Sequence, residues 1–273
     1  MSSRADSPPA GWAEAVRPID FLLQTFAVAE GDVRKLIHDP IELFTRMVQP
    51  VLWLVIFGQV FTRVRAIPTG GLPYLDFMTP GILAQSVLFG AIFYGISLIW
   101  ERDLGIVHKF LASPASRTAL VLGRALSSTV RSLCQMLIVY FVAALLGVKF
   151  LIGIGPFVGV VAAVMLGSAI FATFSLIAAC VVKSRERFMG MGQVLTMPLF
   201  FASNAIYPLS MMPRWLRVLS TANPLSYEVD ALRDLMIVGG KSTFGLRVDF
   251  GAQIAALVIL LAIATWLYPK IVQ

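Results

Sequence analysis

The sequence predicts an all-α polytopic membrane protein. Three observations carry that prediction. Hydrophobic residues make up 58% of the 273-residue chain, and charged residues only 14%. The mean hydropathy is +0.82. The apolar residues are gathered into long runs bounded by Lys and Arg. A soluble chain of this length keeps about a quarter of its residues charged and must cover itself with polar groups. Disorder, a coiled coil and a water-soluble enzyme are therefore excluded, and spanning helices are the default.

The elements follow in chain order. Residues 1–16 are small and polar, with Pro8-Pro9, and read as a flexible cytoplasmic tail. Residues 17–37 read as an amphipathic helix in the membrane interface. Asp20 can cap it, and Ile19, Leu22, Leu23 and Phe26 recur at helical spacing. The first forty residues lack the uninterrupted apolar core of a cleavable leader, so the first span is expected to serve as its own insertion signal.

Six spans are predicted, at about 44–62, 76–100, 121–147, 154–182, 188–207 and 251–269. Each is near the ~20 residues that cross ~30 Å of hydrocarbon. Lys and Arg are denser in the segments before the first span and after the second and fourth, including Lys183, Arg185 and Arg187. That bias places both termini in the cytoplasm. The net charge of +7 is read as topology signal and contact with anionic lipid, not as nucleic-acid binding. Cys134 and Cys180 lie in apolar runs and read as buried, reduced hydrophobes.

Several motifs fail on inspection. Gly239-Gly240-Lys241-Ser242-Thr243 resembles the end of a phosphate loop, but Leu235 stands where the first glycine is required. Gly155, Gly159, Ala163 and Gly167 recur every four residues, which is a stripe for close helix packing. The two histidines, His38 and His108, have no second metal ligand at helical spacing. No serine or paired-aspartate arrangement for intramembrane proteolysis is present. No catalytic residues and no metal are predicted.

Three features remain. Arg117, Arg124 and Arg131 recur every seven residues on one side of the third span. They either snorkel to lipid phosphate or face a protein interior. The stretch Glu101–Pro114 reads as a short amphipathic helix in a cytoplasmic loop, ended before Pro114. Its Phe110 and Leu111 need a cover, from the lipid interface or from a partner protein. From the end of the fifth span to the sixth, Pro198, Pro208, Pro213 and Pro224 interrupt regular helix, Trp215 and Tyr227 suit an interface, and Asp230 and Arg233 stand three apart, where they either pair or form a solvated face.

On these residues the chain resembles the permease subunit of type-2 ATP-binding-cassette exporters, closest to the drug-efflux and nodulation-factor-export branch. The resemblance covers roughly residues 20–270. It rests on Pro80-Gly81-Ile82, on the acidic start, Gly105 and the Leu111-Ala112-Ser113-Pro114 ending of the cytoplasmic loop, and on Arg117 and Gly123-Arg124. Its most specific part is Tyr207-Pro208-Leu209, Met212-Pro213-Arg214-Trp215-Leu216, Asn223-Pro224-Leu225-Ser226-Tyr227 and Asp230-Ala231-Leu232-Arg233.

The resemblance implies a single transmembrane domain over 17–273 that exports an amphipathic drug-like, lipid-linked or glycan cargo across a bacterial plasma membrane. It implies two copies of a separate ATPase subunit, which would bind the ATP and Mg, and a homodimer or pseudo-symmetric heterodimer of permeases. Glu101, Arg102, Asp103, Gly105, Phe110, Leu111 and Pro114 would form the coupling helix on the ATPase. Pro208, Pro213, Trp215, Asn223, Pro224, Tyr227, Asp230 and Arg233 would belong to an outer gate. Arg124, Arg131, Met197, Phe200 and Phe201 are offered as cargo or lipid contacts. The competing readings are an ion-coupled secondary transporter or channel without an ATPase, and a membrane enzyme or scaffold.

Overall fold

Long runs of Leu, Val, Ile, Ala and Phe without charges leave the backbone one way to satisfy its polar groups in hydrocarbon, which is to bond within helices. A computed structural model bears this out. It describes residues 45, 48–64, 67–104, 117–182 and 184–267. The tail, the interfacial helix predicted over 17–37 and residues 105–116 lie outside the described residues. No strand occurs among the described residues beyond an isolated antiparallel bridge between Phe150 and Ile237.

Among the described residues eight helices carry the fold: α1 (Val48–Arg63), α2 (Tyr74–Asp103), α3 (Arg117–Leu145), α4 (Ile154–Val181), α5 (Arg185–Phe201), α6 (Arg214–Ala222), α7 (Pro224–Met236) and α8 (Leu246–Leu267). Four of them, α2, α3, α4 and α8, are long and apolar enough to cross a membrane. The predicted first and fifth spans correspond to the shorter α1 and to α5, which has 17 residues. α1 is wound as a π-helix over Trp53–Gly58, where stacked Trp53 and Phe57 rings lie 4.4 Å apart. α5 stops at Phe201, three residues after Pro198, and the chain then turns irregularly through 202–208. A proline ring there removes a helix hydrogen bond, which favours an early end.

α4 is the hub, packing against α2, α3, α7 and α8. Its small-residue stripe explains the close approaches. A Cβ on Gly159 would stand 2.9 Å from Leu235 of α7, and one on Gly167 would collide with the Glu228 carboxylate. Gly155, the first member of the stripe, faces open space. Hydroxyls add polar contacts between helices. Ser168 of α4 lies 3.0 Å from Ser128 and 2.9 Å from Ser132 of α3. The Gly95 backbone N–H of α2 donates to Ser175 of α4 at 3.1 Å. Such bonds supplement packing where lipid removes the hydrophobic drive between helices.

α8 is the least enclosed span. Ile254, Val258, Ile259 and Trp266 are exposed apolar side chains along it. These surfaces suit lipid or another membrane-embedded chain.

Candidate functional site

The segment from 198 to 249 folds back on α2 and is held by side chains that the sequence analysis singled out. Asn223 caps α7, its Oδ1 accepting from the Leu225 N–H at 3.0 Å. Its Nδ2 donates to the carbonyls of Leu199 and Ala202, at 2.6 and 3.2 Å. One side chain thus ties the end of α5 to the start of α7. Pro224 occupies the first turn of α7, where its missing N–H costs nothing. Tyr227 donates its hydroxyl to the Thr221 carbonyl at 2.7 Å and packs its ring on Phe244. Pro208 and Pro213 flank the short turn Leu209–Met211, which Arg217 of α6 braces through the carbonyls of Leu209, Ser210 and Met212. Trp215 is exposed on α6.

At the centre stands Asp230, fully buried. Its carboxylate accepts from Asn204 Nδ2 (3.0 Å), Arg233 (3.3 Å) and the backbone N–H groups of Thr243 and Phe244 (3.1 Å for the latter). The Ser242 hydroxyl lies 3.2 Å from Asp230 and 2.6 Å from Asp249 at the start of α8. Arg233 also donates to the Asn204 carbonyl at 2.7 Å and stacks over the Phe77 ring, 4.1 Å from its centroid. The rejected phosphate-loop look-alike therefore has a structural job. Thr243 and Phe244 turn their backbone N–H groups, and Ser242 its hydroxyl, onto the chain's own carboxylate, as a nest wraps an anion.

Sequence spacing foresaw only part of this knot. It paired Asp230 with Arg233 but left a solvated face open as an alternative; both side chains are buried and bonded. Asn204, Ser242, Thr243 and Asp249 were missed. The available signal was polar residues next to apolar runs, which at membrane depth rarely stand without partners. Glu228, also missed, is fully buried against Gly167, and neither carboxylate oxygen has a hydrogen-bond partner.

The Pro80-Gly81-Ile82 step falls inside α2, which begins at Tyr74, and it has a packing reason. A Cβ on Gly81 would collide with the Ala205 backbone. The glycine lets the irregular 202–207 turn lie directly on α2.

A second cluster forms where α2 ends. Asp103 bonds Arg102 at 3.1 Å and Arg185 of α5 at 3.1 Å. The Arg185 guanidinium also lies 3.5 Å over the Trp100 ring. Ser184 caps α5, accepting from the Arg187 N–H. Glu101 and Arg102 are half-buried at this end. Gly105, Phe110, Leu111 and Pro114 lie outside the described residues. The acidic end of α2 is thus fastened to the start of α5, and the 105–116 connection leaves from this junction.

The remaining candidates scatter. Phe200 is fully buried, 6.0 Å from the Trp53 ring. Phe201 is exposed and Met197 half-buried. Arg131 packs over the Tyr94 ring at 5.4 Å. The Arg124 side chain lies outside the described residues. No group of His, Cys, Asp or Glu among the described residues is arranged to hold a metal ion.

The described residues thus form a helical membrane domain with a helix hub and a folded-back polar segment. The family model described as ABC-2 type transporter matches residues 23–237, and the chain belongs to that family. It is similar to the transport permease ycf38 of Cyanophora paradoxa, 27% identical over 96% of this chain and 93% of the relative. It is also similar to the daunorubicin resistance ABC transporter permease protein DrrB1 of Streptomyces coeruleorubidus, 29% identical over 73% of this chain and 70% of the relative. A doxorubicin resistance ABC transporter permease protein, DrrC of Mycobacterium tuberculosis, is 25% identical over 80% of this chain and 79% of its own length. The chain is thus a multi-pass permease subunit of an ABC exporter, a family that works with an ATP-binding subunit.

Proposed function

We propose that the chain exports an amphipathic, drug-like or lipid-linked cargo across a bacterial plasma membrane, with both termini in the cytoplasm. Two permease chains, identical or pseudo-symmetric, would work with two copies of a separate ATPase, which binds the ATP and Mg. The permease itself carries no catalytic residues in this reading. The observation that carries the proposal is the family match over residues 23–237, supported by relatives whose names record resistance to daunorubicin and doxorubicin.

The coupling step follows from the junction at the end of α2. Residues 101–114 would dock on the ATPase, with Phe110 and Leu111 as apolar anchors and Glu101, Arg102 and Asp103 orienting the contact. Gly105 and Pro114 would bound the docking helix. Force on that segment reaches α2 directly and α5 through the Asp103–Arg185 bond. Rigid packed helices pass on a displacement as a discrete shift. At the far end of α2, Gly81 bears on the 202–207 turn, which Asn204 joins to Asp230 and Arg233. The segment containing Pro208, Pro213, Trp215, Asn223, Pro224 and Tyr227 would act as the outer gate.

The test is reconstitution. The chain is co-expressed with a separate ABC ATPase subunit from the same genome, purified, and placed in vesicles with an amphipathic fluorescent cargo. The reading expects a stable complex, ATP-dependent transport and loss of both with Phe110→Asp. Transport that needs no ATPase and follows an ion gradient would overturn it.

A further inference from the structure

Two amides buried at membrane depth take no part in the packing described so far. Gln85 of α2 is 2% exposed, and neither its Nε2 nor its Oε1 has a hydrogen-bond partner. Gln135 of α3 is also 2% exposed, and its Oε1 is likewise unpartnered. Both line one cavity of about 130 Å³ between α1, α2 and α3. Gln49, Pro50, Ser86, Phe89, Gly90 and Phe93 complete its wall.

The wall has a definite chemistry. Among the described residues that line it, none is acidic or basic. Arg131, one turn before Gln135, packs over Tyr94 and is not part of it. Ser86 turns its hydroxyl back to the Leu83 carbonyl at 2.8 Å, so the amides are the groups left to recognise a ligand. The rings of Phe89 and Phe93 lie 6.4 Å apart on the same helix. Gly90 between them makes room, because a Cβ there would stand 3.0 Å from Gln135 Oε1 and 3.2 Å from its Nε2. Phe89, Gly90 and Phe93 are half-buried and Gln49 is exposed, so the cavity opens on that side.

An unpaired buried amide costs about 1–3 kcal/mol, and a ligand that bonds it recovers that cost. A charged ligand would find no counter-charge among the described lining residues and would pay for its desolvation. A cavity of ~150 Å³ accommodates one benzene ring, so a cavity of about 130 Å³ that is open on one side is on the scale of a single ring and no larger group.

We propose that this cavity binds a neutral ring bearing both a hydrogen-bond donor and an acceptor, such as a carboxamide or hydroxyl-carbonyl pair, at the end of an apolar body. Gln85 and Gln135 bond the polar pair while Phe89 and Phe93 flank the ring. The ligand is the head of the transported cargo, an assignment that rests on the export reading above.

The purified full-length chain in lipid nanodiscs, without ATPase or nucleotide, is tested with radiolabelled 4-hexylbenzamide and with hexylbenzene. Saturable binding of the benzamide is expected, at least tenfold tighter than that of the hydrocarbon. Gln85→Leu and Gly90→Ala should each weaken it about tenfold or more. Both proteins are first checked for an unchanged elution profile and unfolding midpoint, and Gln135→Met serves in place of either variant that fails to fold. Equal affinity for the two probes, non-saturable uptake or unchanged binding by the variants would overturn the site. The second arm uses vesicles with the ATPase. Inhibition of export by 4-hexylbenzamide in the unaltered protein, with a weaker fractional effect in Gln85→Leu, assigns the cavity to cargo. Binding without that difference overturns the cargo assignment in favour of a lipid carbonyl or hydroxyl. Absence of any ATP-driven export counts against the export reading alone, since the binding arm needs no ATP.

Discussion

Asp230 and Arg233 form an ion pair one turn apart on α7, at 3.3 Å, with both side chains buried. The pair does more than close on itself. Asp230 collects donors from the 202–207 turn and the 242–244 loop, and Arg233 reaches the Asn204 carbonyl and the Phe77 ring. Three chain segments and α2 therefore meet at two side chains.

Removing one partner should be worse than removing both. Asp230→Ala leaves a buried guanidinium without its counter-charge, and breaking such pairs costs about 3–5 kcal/mol. Asp230→Ala is expected to lower the thermal unfolding midpoint sharply in detergent. Asp230→Ala combined with Arg233→Met should recover part of the loss. A midpoint unchanged by Asp230→Ala would show that the knot contributes nothing to stability.

The glycines should separate by what faces them. Gly81→Ala drives a methyl group into the Ala205 backbone, which cannot swing aside as a side chain can. Overpacking of this kind costs about 1–3 kcal/mol. Gly155 meets nothing within 4 Å, and Gly155→Ala should be stabilising by up to about 1 kcal/mol through helix propensity. Unfolding midpoints of the two variants, measured side by side, should move in opposite directions.

Glu228 sits where a charge has no compensation, since it is fully buried with both oxygens unpartnered. A neutral group of the same shape should be accepted there. Glu228→Gln is expected to retain yield and unfolding midpoint, whereas Glu228→Lys should abolish accumulation of folded protein because its longer chain and fixed charge meet the α4 backbone at Gly167. Equal yields from both variants would contradict this account.

The Asp103–Arg185 bond is exposed enough to add little stability, so its effect should be functional. Arg185→Gln is expected to leave the unfolding midpoint nearly unchanged and to reduce the stimulation of the partner ATPase by cargo several-fold. Restoring the contact with Arg185→Lys should recover part of it. Unchanged stimulation in Arg185→Gln would remove α5 from the coupling route.

Apolar run length made the long helices readable, because α2, α4 and α8 have few charges to interrupt them. The turn after Phe201 was less readable, because Ser203, Asn204 and Ala205 leave regular helix only by virtue of contacts made elsewhere. The Asp230–Arg233 pair was legible from its spacing on one helix. Its other partners were not, since Asn204 and Thr243 are distant in sequence and their polar character names no mate. Gln85 and Gln135 carried a visible signal, each an amide in an apolar run. What they share is set by how α2 and α3 pack, which no local pattern encodes.

The loop that wraps Asp230 also has a consequence for biosynthesis. Thr243 and Phe244 emerge from the ribosome after α7 and immediately before the last span. A nascent chain cut short before them would hold its carboxylate without those two amide donors. Such a fragment would carry a carboxylate short of the donors that offset its desolvation, so the last span can close on a settled α7 only once the 242–244 loop is in place.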